Sequence, residues 1–377
     1  MRSLSPRCHK LLASLACFII FIAAAEAYLR GKGYQPALDS NAIRAEHAAV
    51  HAKLSEYFDP DLGWINVPSN DFPAGEPDFD SMHTTIWSDG QRESRPLVLR
   101  PARYKVLLLG CSYTFGLGLK QTQTYPWLLN MRCPGMSFDN FGCIGYGTVQ
   151  SLLLEERILS KKRYDLVIYA PFRDHIYRNI FGLDGFQDFG RGLTLPDALK
   201  VCHPIWYTPT AYLDGRHEPV IVQPYYRHWP GDSFLAGINT LKRLDQFCAH
   251  LRLFKLRKAA PEQLAWKEIY WRLLRRMNET AVRHGSRFAV MCLEDAEDPA
   301  VFLRCLTPAE LAQADRNSAD MLSFPPPFEY LFVGNGREGQ PDHPRFHVKD
   351  DPKLHPSELV NKVWARNICS AVRGMLY

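Results

Sequence analysis

Short apolar runs that alternate with segments of helical periodicity predict the architecture of this chain. Runs with the length and composition of buried strands lie at residues 106–109, 137–142, 165–170 and 287–293. Helical spacing is found at residues 122–133, 149–161, 262–284 and 357–373, and a capping box opens a further helix at residue 307. Strands that alternate with helices predict an α/β fold built on a parallel sheet.

The chain is organised around residues 104–119, where a buried strand breaks into a glycine-rich turn. The apolar run 106–109 ends at Gly110, and Ser112 follows immediately. A hydroxyl at this point lies at the carboxyl edge of the sheet, where open α/β folds bind ligands. Main-chain N–H groups at the start of the next helix are able to hold an anionic centre. Ser112 is therefore a candidate nucleophile, and the alternative is that it only caps the turn.

The N-terminus has the pattern of a targeting segment. Basic side chains precede the uncharged apolar run 11–25, as in a secretory signal or a signal anchor. Ala25-Glu26-Ala27 offers a cleavage site, whereas extension to Leu29 approaches the roughly 20 residues of a spanning helix. We expect residues 1–29 to be an uncleaved anchor, with a cleaved signal peptide as the alternative. In both cases the remaining chain lies outside the cytoplasm.

Two regions depart from the strand–helix pattern. Residues 30–100 are polar and rich in proline and glycine, and we expect a cover segment with one helix at 42–58, a short extended piece at 61–68 and a turn at 87–90. This cover packs on a main domain at 101–377. Residues 180–260 form an aromatic, proline-rich, β-rich insertion with an Asp214-Gly215 hairpin signal, which serves as a lid or substrate wall or as a hairpin with its own small core.

Composition narrows the class of protein. Apolar residues make up 46% and charged residues 23%, which is typical of a globular chain. The net charge of +5 is spread widely, so the sequence gives no indication of nucleic-acid binding. The 10 cysteines show no paired spacing, and we expect those beyond the leader to be buried free thiols.

A second group of polar residues lies near the C-terminus, and two interpretations compete for it. It comprises Asp342, His343, His347, Asp350, Asp351 and His355. Histidines with nearby carboxylates bind metals, but Pro344 interrupts the helix that would place His343 and His347 on one face. The other interpretation is acid–base chemistry, in which His355 takes the proton of Ser112 and Asp351 orients the imidazole.

These residues resemble the conserved blocks of the SGNH (GDSL-type) hydrolases, in particular the bacterial members with an N-terminal membrane anchor. The resemblance extends over about residues 104–375, in the order in which the family has its blocks. The blocks are Gly110-Cys111-Ser112, Asn140 to Gly147 with Gly145, Val167 to Asp174 with Arg173, and Asp351 to Ser357 with His355. Asp61 to Trp64 and Trp87 to Gly90 also resemble the leader segment of the anchored members, less specifically.

The resemblance implies a three-layer α/β/α sandwich of the flavodoxin-like type, with a parallel sheet of about five strands. It implies a serine esterase of the cell envelope that acts on an O-acyl ester, with an acylated small molecule or glycan as substrate and without metal or cofactor. The catalytic residues would be Ser112, His355 and Asp351, with Asp350 as the alternative acid. The oxyanion hole would consist of Ser112, Gly145 and Arg173.

The sequence departs from the family in three respects, and it leaves other functions open. Asp351 lies four residues before His355, where three is common, which leaves Asp350 and Asp351 both possible. Cys111 replaces an aspartate beside the nucleophile, and Arg173 replaces the asparagine of the oxyanion hole, for which Asn179 is a less favoured stand-in. The same triad with a sugar hydroxyl in place of water would make an O-acyltransferase. A non-catalytic envelope protein that binds glycans or partners through the aromatic region 200–235 is the third alternative.

Overall fold

The computed structural model describes most of the predicted core. It covers residues 6–31, 56–59, 61–66, 68–72, 84–96, 101–172, 175–176, 178–179, 208–214, 216, 218–222, 262–293, 329–332 and 355–377. The helix predicted to open at residue 307, most of the insertion 180–260 and residues 342–354 lie outside these ranges.

The described chain alternates strands and helices after an N-terminal helix. The helices are α1 (Pro6–Gly31), α2 (Ser112–Phe115), α3 (Tyr125–Arg132), α4 (Thr148–Leu159), α5 (Glu262–Arg283) and α6 (Glu358–Leu376). The strands are β1 (Glu56–Asp59), β2 (Gly63–Asn66), β3 (Asn70–Phe72), β4 (Thr84–Ile86), β5 (Tyr104–Gly110), β6 (Met136–Asn140), β7 (Leu166–Ala170), β8 (Thr210–Leu213), β9 (Pro219–Val222), β10 (Arg287–Cys292) and β11 (Glu329–Phe332).

The main sheet has the order β11-β10-β7-β5-β6 among the described strands, and all four pairings are parallel. This is the flavodoxin-like order, in which the chain leaves its first strand to one side and later returns to the other. The crevice for a ligand opens at the carboxyl ends of β5 and β7, where the direction reverses. The predicted α/β class and parallel sheet are confirmed.

Each face of the sheet is covered by helices, which makes three layers. Odd and even positions of β5 point to opposite faces, as the two-residue period of a strand requires. Leu107 and Leu109 pack with α4 and α5, whereas Val106 and Leu108 pack with α3 and α6. All four leucine and valine side chains are fully buried.

Strand pairing overrides one helix prediction. Residues 56–58, at the end of the helix predicted over 42–58, lie in β1, which pairs antiparallel with β2 from Glu56↔Asn66 to Asp59↔Gly63. The rest of that prediction lies outside the described residues. The hairpin predicted around Asp214-Gly215 is present as the antiparallel pair of β8 and β9.

A disulfide corrects the expectation of free thiols. Cys133 and Cys369 are bonded, with Cα atoms 5.9 Å apart and a sequence separation of 236. The bond forms because α3 and α6 lie side by side on one face of the sheet, an arrangement that local spacing does not reveal. Cys111 and Cys143 are buried free thiols, as expected.

The N-terminal helix α1 runs over 26 residues and includes the apolar run of the predicted targeting segment. Within the part of the chain that the structure describes, no helix combines the length and apolar character needed to cross a membrane.

Candidate active site

The turn between β5 and α2 presents Ser112 at the carboxyl edge of the sheet. A Cβ atom at Gly110 would lie 2.3 Å from Thr114 Oγ1 and 2.9 Å from the carbonyl oxygen of Ala170, so only glycine allows so close an approach. The helix α2 begins at Ser112 and ends at Phe115, and its C-cap is Gly116, whose φ of 88° is left-handed. Ser112 is thus held in a single helical turn with a glycine on each side.

His355 lies against Ser112 although 243 residues separate them in sequence. The Nε2 atom of His355 is 3.0 Å from Ser112 Oγ, and the two residues are 5% and 8% exposed. A hydroxyl that donates to Nε2 requires the neutral imidazole with its proton on Nδ1. Serine is a weak nucleophile until a base takes its proton, and this contact places such a base within hydrogen-bonding distance.

The start of α6 fixes the position of His355. This helix begins three residues after the histidine, and its first turns are tied to the segment that follows the nucleophile. The side chain of Asn361 accepts a hydrogen bond from the main-chain N–H of Tyr125 at 2.8 Å, and Gln123 Nε2 donates to Glu358 at 2.8 Å. The base and the nucleophile are therefore held by one set of contacts between α6 and the α3 region.

An aromatic ring packs against the imidazole. The ring of Tyr113 meets that of His355 edge-on at 5.8 Å between centroids. Tyr113 also contacts Phe172 at 4.8 Å and Trp364 at 6.3 Å. Tyr113, which is itself packed against Phe172 and Trp364, therefore restricts the orientation of the buried imidazole on one side.

Gly145 lies in a tight turn that adjoins the nucleophile turn. The N–H of Cys143 donates to the Gly110 carbonyl at 3.1 Å, and the N–H of Tyr146 donates to the Cys143 carbonyl at 3.3 Å. Gly145 is the third residue of this turn and has a φ of 80°, which favours glycine. The N–H of Ser112 is at the first position of α2, where a helix offers no acceptor. Two candidate oxyanion donors therefore lie on turns joined through Gly110.

Asn179, the less favoured stand-in for the oxyanion asparagine, caps α4 instead. Its side-chain oxygen accepts from the N–H groups of Thr148 at 2.8 Å and Val149 at 3.2 Å, and its amide donates to Thr148 Oγ1 at 3.1 Å. The N-cap position itself is Gly147, which has no side chain for this purpose. Both ends of the Asn179 amide are thus engaged in holding the helix that follows the Gly145 turn.

His175 is a buried group near the site that the sequence did not single out. Its Nδ1 atom lies 2.6 Å from Tyr169 Oη, which in turn donates to Thr148 Oγ1 at 3.0 Å. Burial, with the nearby charge of Arg178, holds the pKa of His175 well below its ordinary value, so the ring is neutral. This chain of contacts ties the segment after β7 to the start of α4. Only its position after a predicted strand end could have indicated it.

The remaining predicted site residues lie outside the described residues. They are Asp350, Asp351, Arg173 and the histidines at 343 and 347. Asp351 as the acid and Arg173 as an oxyanion donor therefore stay predictions. Among the residues that are described, no cluster of three or more histidine, cysteine or acidic side chains is arranged to hold a metal ion.

No model of a known family matches the chain, and no curated protein matches it. Solved structures that it resembles include a member of the lipolytic protein G-D-S-L family from Veillonella parvula, with 10% identity, a TM-score of 0.35 and coverage of 71% of this chain and 98% of the other. A mutant acetyl-xylooligosaccharide esterase from Geobacillus has 13% identity, a TM-score of 0.36 and coverage of 73% and 95%. An alpha/beta hydrolase enzyme from the metagenome of Lake Arreo has 16% identity, a TM-score of 0.36 and coverage of 74% and 98%.

Proposed function

We propose that this protein is a serine esterase that hydrolyses an O-acyl ester through Ser112 and His355, with Asp351 as the acid of the triad. The observation that carries the proposal is the 3.0 Å contact between Ser112 Oγ and His355 Nε2 at the carboxyl edge of a flavodoxin-like sheet. The position of this contact matters, because ligands of open α/β folds bind in the crevice at the carboxyl ends of the strands.

In the proposed reaction, Ser112 Oγ attacks the acyl carbonyl carbon while His355 Nε2 takes the hydroxyl proton. The N–H groups of Ser112 and Gly145, with help from Arg173, bind the oxygen that becomes negative in the tetrahedral intermediate. Collapse of this intermediate breaks the ester bond, and His355 returns its proton to the leaving alcohol. Water activated by His355 then cleaves the acyl-enzyme and releases the carboxylic acid.

The proposed location is the cell envelope, with the site outside the cytoplasm and residues 1–29 as the signal anchor or signal peptide. Two features support it: the basic and apolar pattern of the N-terminus, and the Cys133–Cys369 disulfide, since disulfides persist mainly in oxidising compartments. An O-acylated envelope or exported glycan is the substrate class that we propose for such a site.

The test is hydrolysis of p-nitrophenyl acetate by the full chain beside Ser112→Ala and His355→Ala. The control is Ser286→Ala, a buried serine at the opposite edge of the sheet, whose hydroxyl donates to the Tyr164 carbonyl at 2.7 Å. We expect both site variants to lose at least about three orders of magnitude in kcat, and the control to keep its activity.

A fluorophosphonate probe adds a readout that is independent of the acyl group, because it reacts with an activated serine. We expect a single label on Ser112 in the wild type and none in His355→Ala. Equal hydrolysis by wild type and Ser112→Ala would exclude Ser112 as the nucleophile. No reaction of the wild type with either reagent would exclude the esterase and favour a binding protein.

A further inference from the structure

We infer that the described part of the cover segment, which lies between residues 56 and 96, positions both main-chain donors of the oxyanion hole. Trp64 orients the Gly145 N–H, and Arg92 fixes the turn that bears the Ser112 N–H. The inference rests on the proposed function, since it assigns a role within that reaction. Neither residue contacts the reacting atoms, so both are positioning residues.

Trp64 acts on the peptide unit that contains the candidate donor. Its indole Nε1 donates to the carbonyl oxygen of Ile144 at 2.8 Å. The Ile144 carbonyl and the Gly145 N–H are opposite ends of one planar trans peptide, so a bond that holds the oxygen also sets the direction of the N–H. Such a peptide would otherwise be free to rotate, because Gly145 tolerates several backbone conformations. The indole therefore determines where this N–H points.

The same tryptophan is itself tightly held. The hydroxyl of Tyr146 donates to the Trp64 carbonyl at 2.6 Å, and the two rings meet edge-on at 5.9 Å. Trp64 is 3% exposed. Tyr146 follows Gly145 directly, so the turn and the tryptophan are joined by hydrogen bonds in both directions, and the Gly145 peptide lies between the two contacts.

Arg92 performs the equivalent task for the nucleophile turn. Its guanidinium donates to the carbonyls of Phe115 at 2.8 Å, Gly116 at 2.7 Å and Leu119 at 2.6 Å. The cation also lies over the Phe115 ring at 4.7 Å. The carbonyls of Phe115 and Gly116 lie at the end of the helical turn that starts at Ser112, where the helix itself supplies few donors. The Gly116 carbonyl also accepts from the N–H of Leu119 at 3.2 Å. Burial lowers the pKa of Arg92 to about 9, which leaves the group charged at neutral pH.

The backbone of the cover is joined to the core next to these side chains. The N–H of Arg92 donates to the Asn140 carbonyl at 2.9 Å, and the Asn140 amide donates to the Thr114 carbonyl at 3.0 Å. Asn66 donates to the Gly142 carbonyl at 3.0 Å. The cover therefore contacts main-chain segments that lead to both turns of the site, the nucleophile turn and the turn that contains Gly145.

A bidentate ion pair anchors the far end of the cover. Arg157 of α4 binds both oxygens of Asp59, at 2.6 and 2.9 Å. The side chain of Gln150 donates to the Leu62 carbonyl at 2.7 Å. Trp64 is thus presented to the turn from a segment that is itself fixed to the helix α4.

The decisive variant is Trp64→Phe, which keeps an aromatic ring and removes only the N–H donor and part of the ring. The matched control is Trp271→Phe on α5. This tryptophan is 1% exposed and lies in the core between the sheet and the helices α4 and α5. We expect Trp64→Phe to lower kcat on p-nitrophenyl acetate about 10- to 100-fold, because a misdirected oxyanion donor stabilises the transition state less. KM should stay within about threefold, since ground-state binding does not use this donor.

A further readout separates positioning from stability. The affinity of a trifluoromethyl ketone, whose adduct with Ser112 bears an oxyanion, should fall in parallel with kcat/KM in Trp64→Phe and not in Trp271→Phe. Arg92→Lys keeps the charge and loses the two-armed geometry, so we expect the same pattern from it with a larger loss of melting temperature.

The outcomes distinguish this inference from the proposed function. If the wild type hydrolyses the ester in a Ser112-dependent way and Trp64→Phe keeps its kcat within threefold, the positioning role is excluded while the esterase stands. A loss of kcat that Trp271→Phe reproduces at equal melting temperature would also overturn the inference. If the wild type shows no Ser112-dependent reaction, the esterase fails and the inference fails with it.

Discussion

Asn179 gives a sharp test of how the site is built, because the cap and the oxyanion donor make opposite demands on its side chain. A cap must accept hydrogen bonds, and its oxygen accepts from Thr148 and Val149. An oxyanion donor must give one, and a carboxylate neither donates nor tolerates a nearby negative charge. Asn179→Asp therefore separates the two roles in one substitution.

The magnitude follows from the contacts. In Asn179→Asp the carboxylate is able to accept both N–H groups and the Thr148 hydroxyl, and it lies at the positive end of α4. We expect the free energy of unfolding to change by less than about 1 kcal/mol and kcat to stay within about threefold. Asn179→Ala leaves two N–H groups unpaired in a side-chain environment that is 0% exposed, which should cost roughly 2–4 kcal/mol.

The assay combines urea unfolding with kcat measured per fluorophosphonate-reactive site. Asn361→Asp is the matched control: its amide donates to the Ser357 carbonyl at 3.0 Å, so a carboxylate there should be clearly more destabilising than at Asn179. A loss of 100-fold or more in kcat for Asn179→Asp, with wild-type stability, would refute the cap and restore the oxyanion role.

Three further substitutions have defined outcomes. Burial raises the pKa of Glu155 well above its ordinary value of 4.5, so the folded state keeps a proton that the unfolded state releases. The free energy of unfolding should therefore fall by up to about 1.4 kcal/mol per pH unit above that value. Urea titrations from pH 5 to 7 should show that Glu155→Gln removes this dependence of stability on pH. An unchanged slope would contradict this assignment. A Cβ at Gly142 would lie 2.4 Å from the main-chain nitrogen of Phe115, so Gly142→Ala should lower stability by roughly 1–3 kcal/mol and reduce kcat, and a wild-type melting curve with wild-type kcat would disprove the close approach. Cys133→Ser should cost about 2–4 kcal/mol, and alkylation under denaturing, non-reducing conditions should spare Cys133 and Cys369 in the wild type; labelling of both would show that the bond is absent.

The sequence was informative wherever structure is determined locally. The four predicted strands became β5, β6, β7 and β10. The inner strands β5 and β7 are apolar where they are buried on both faces of the sheet. The fifth strand, β11, was missed since its four residues follow a proline run and have no period of their own. Residues 56–58 were assigned to a helix from local spacing, and pairing with β2 decided otherwise.

The site shows the same division. Ser112 follows a strand and carries a local signal, and the polar cluster near residue 350 indicated His355 as a candidate base. The resemblance supplied Gly145 as an oxyanion donor. Asn179, Trp64 and Arg92 contact backbone groups that are distant in sequence. Local sequence patterns do not predict such contacts, because they depend on the tertiary fold. The Cys133–Cys369 bond is of this kind too, because only the packing of α3 against α6 brings the two residues together.

The location of His355 has a consequence for when the protein becomes reactive. The histidine belongs to the last part of the chain, and it is placed by a helix that must dock onto the segment following the nucleophile. During synthesis, Ser112 is therefore made long before its proposed base, 243 positions further along the chain. The proposed esterase is inactive until α6 has docked and placed His355, so in a nascent chain that lacks this helix the Ser112 hydroxyl has no base to activate it.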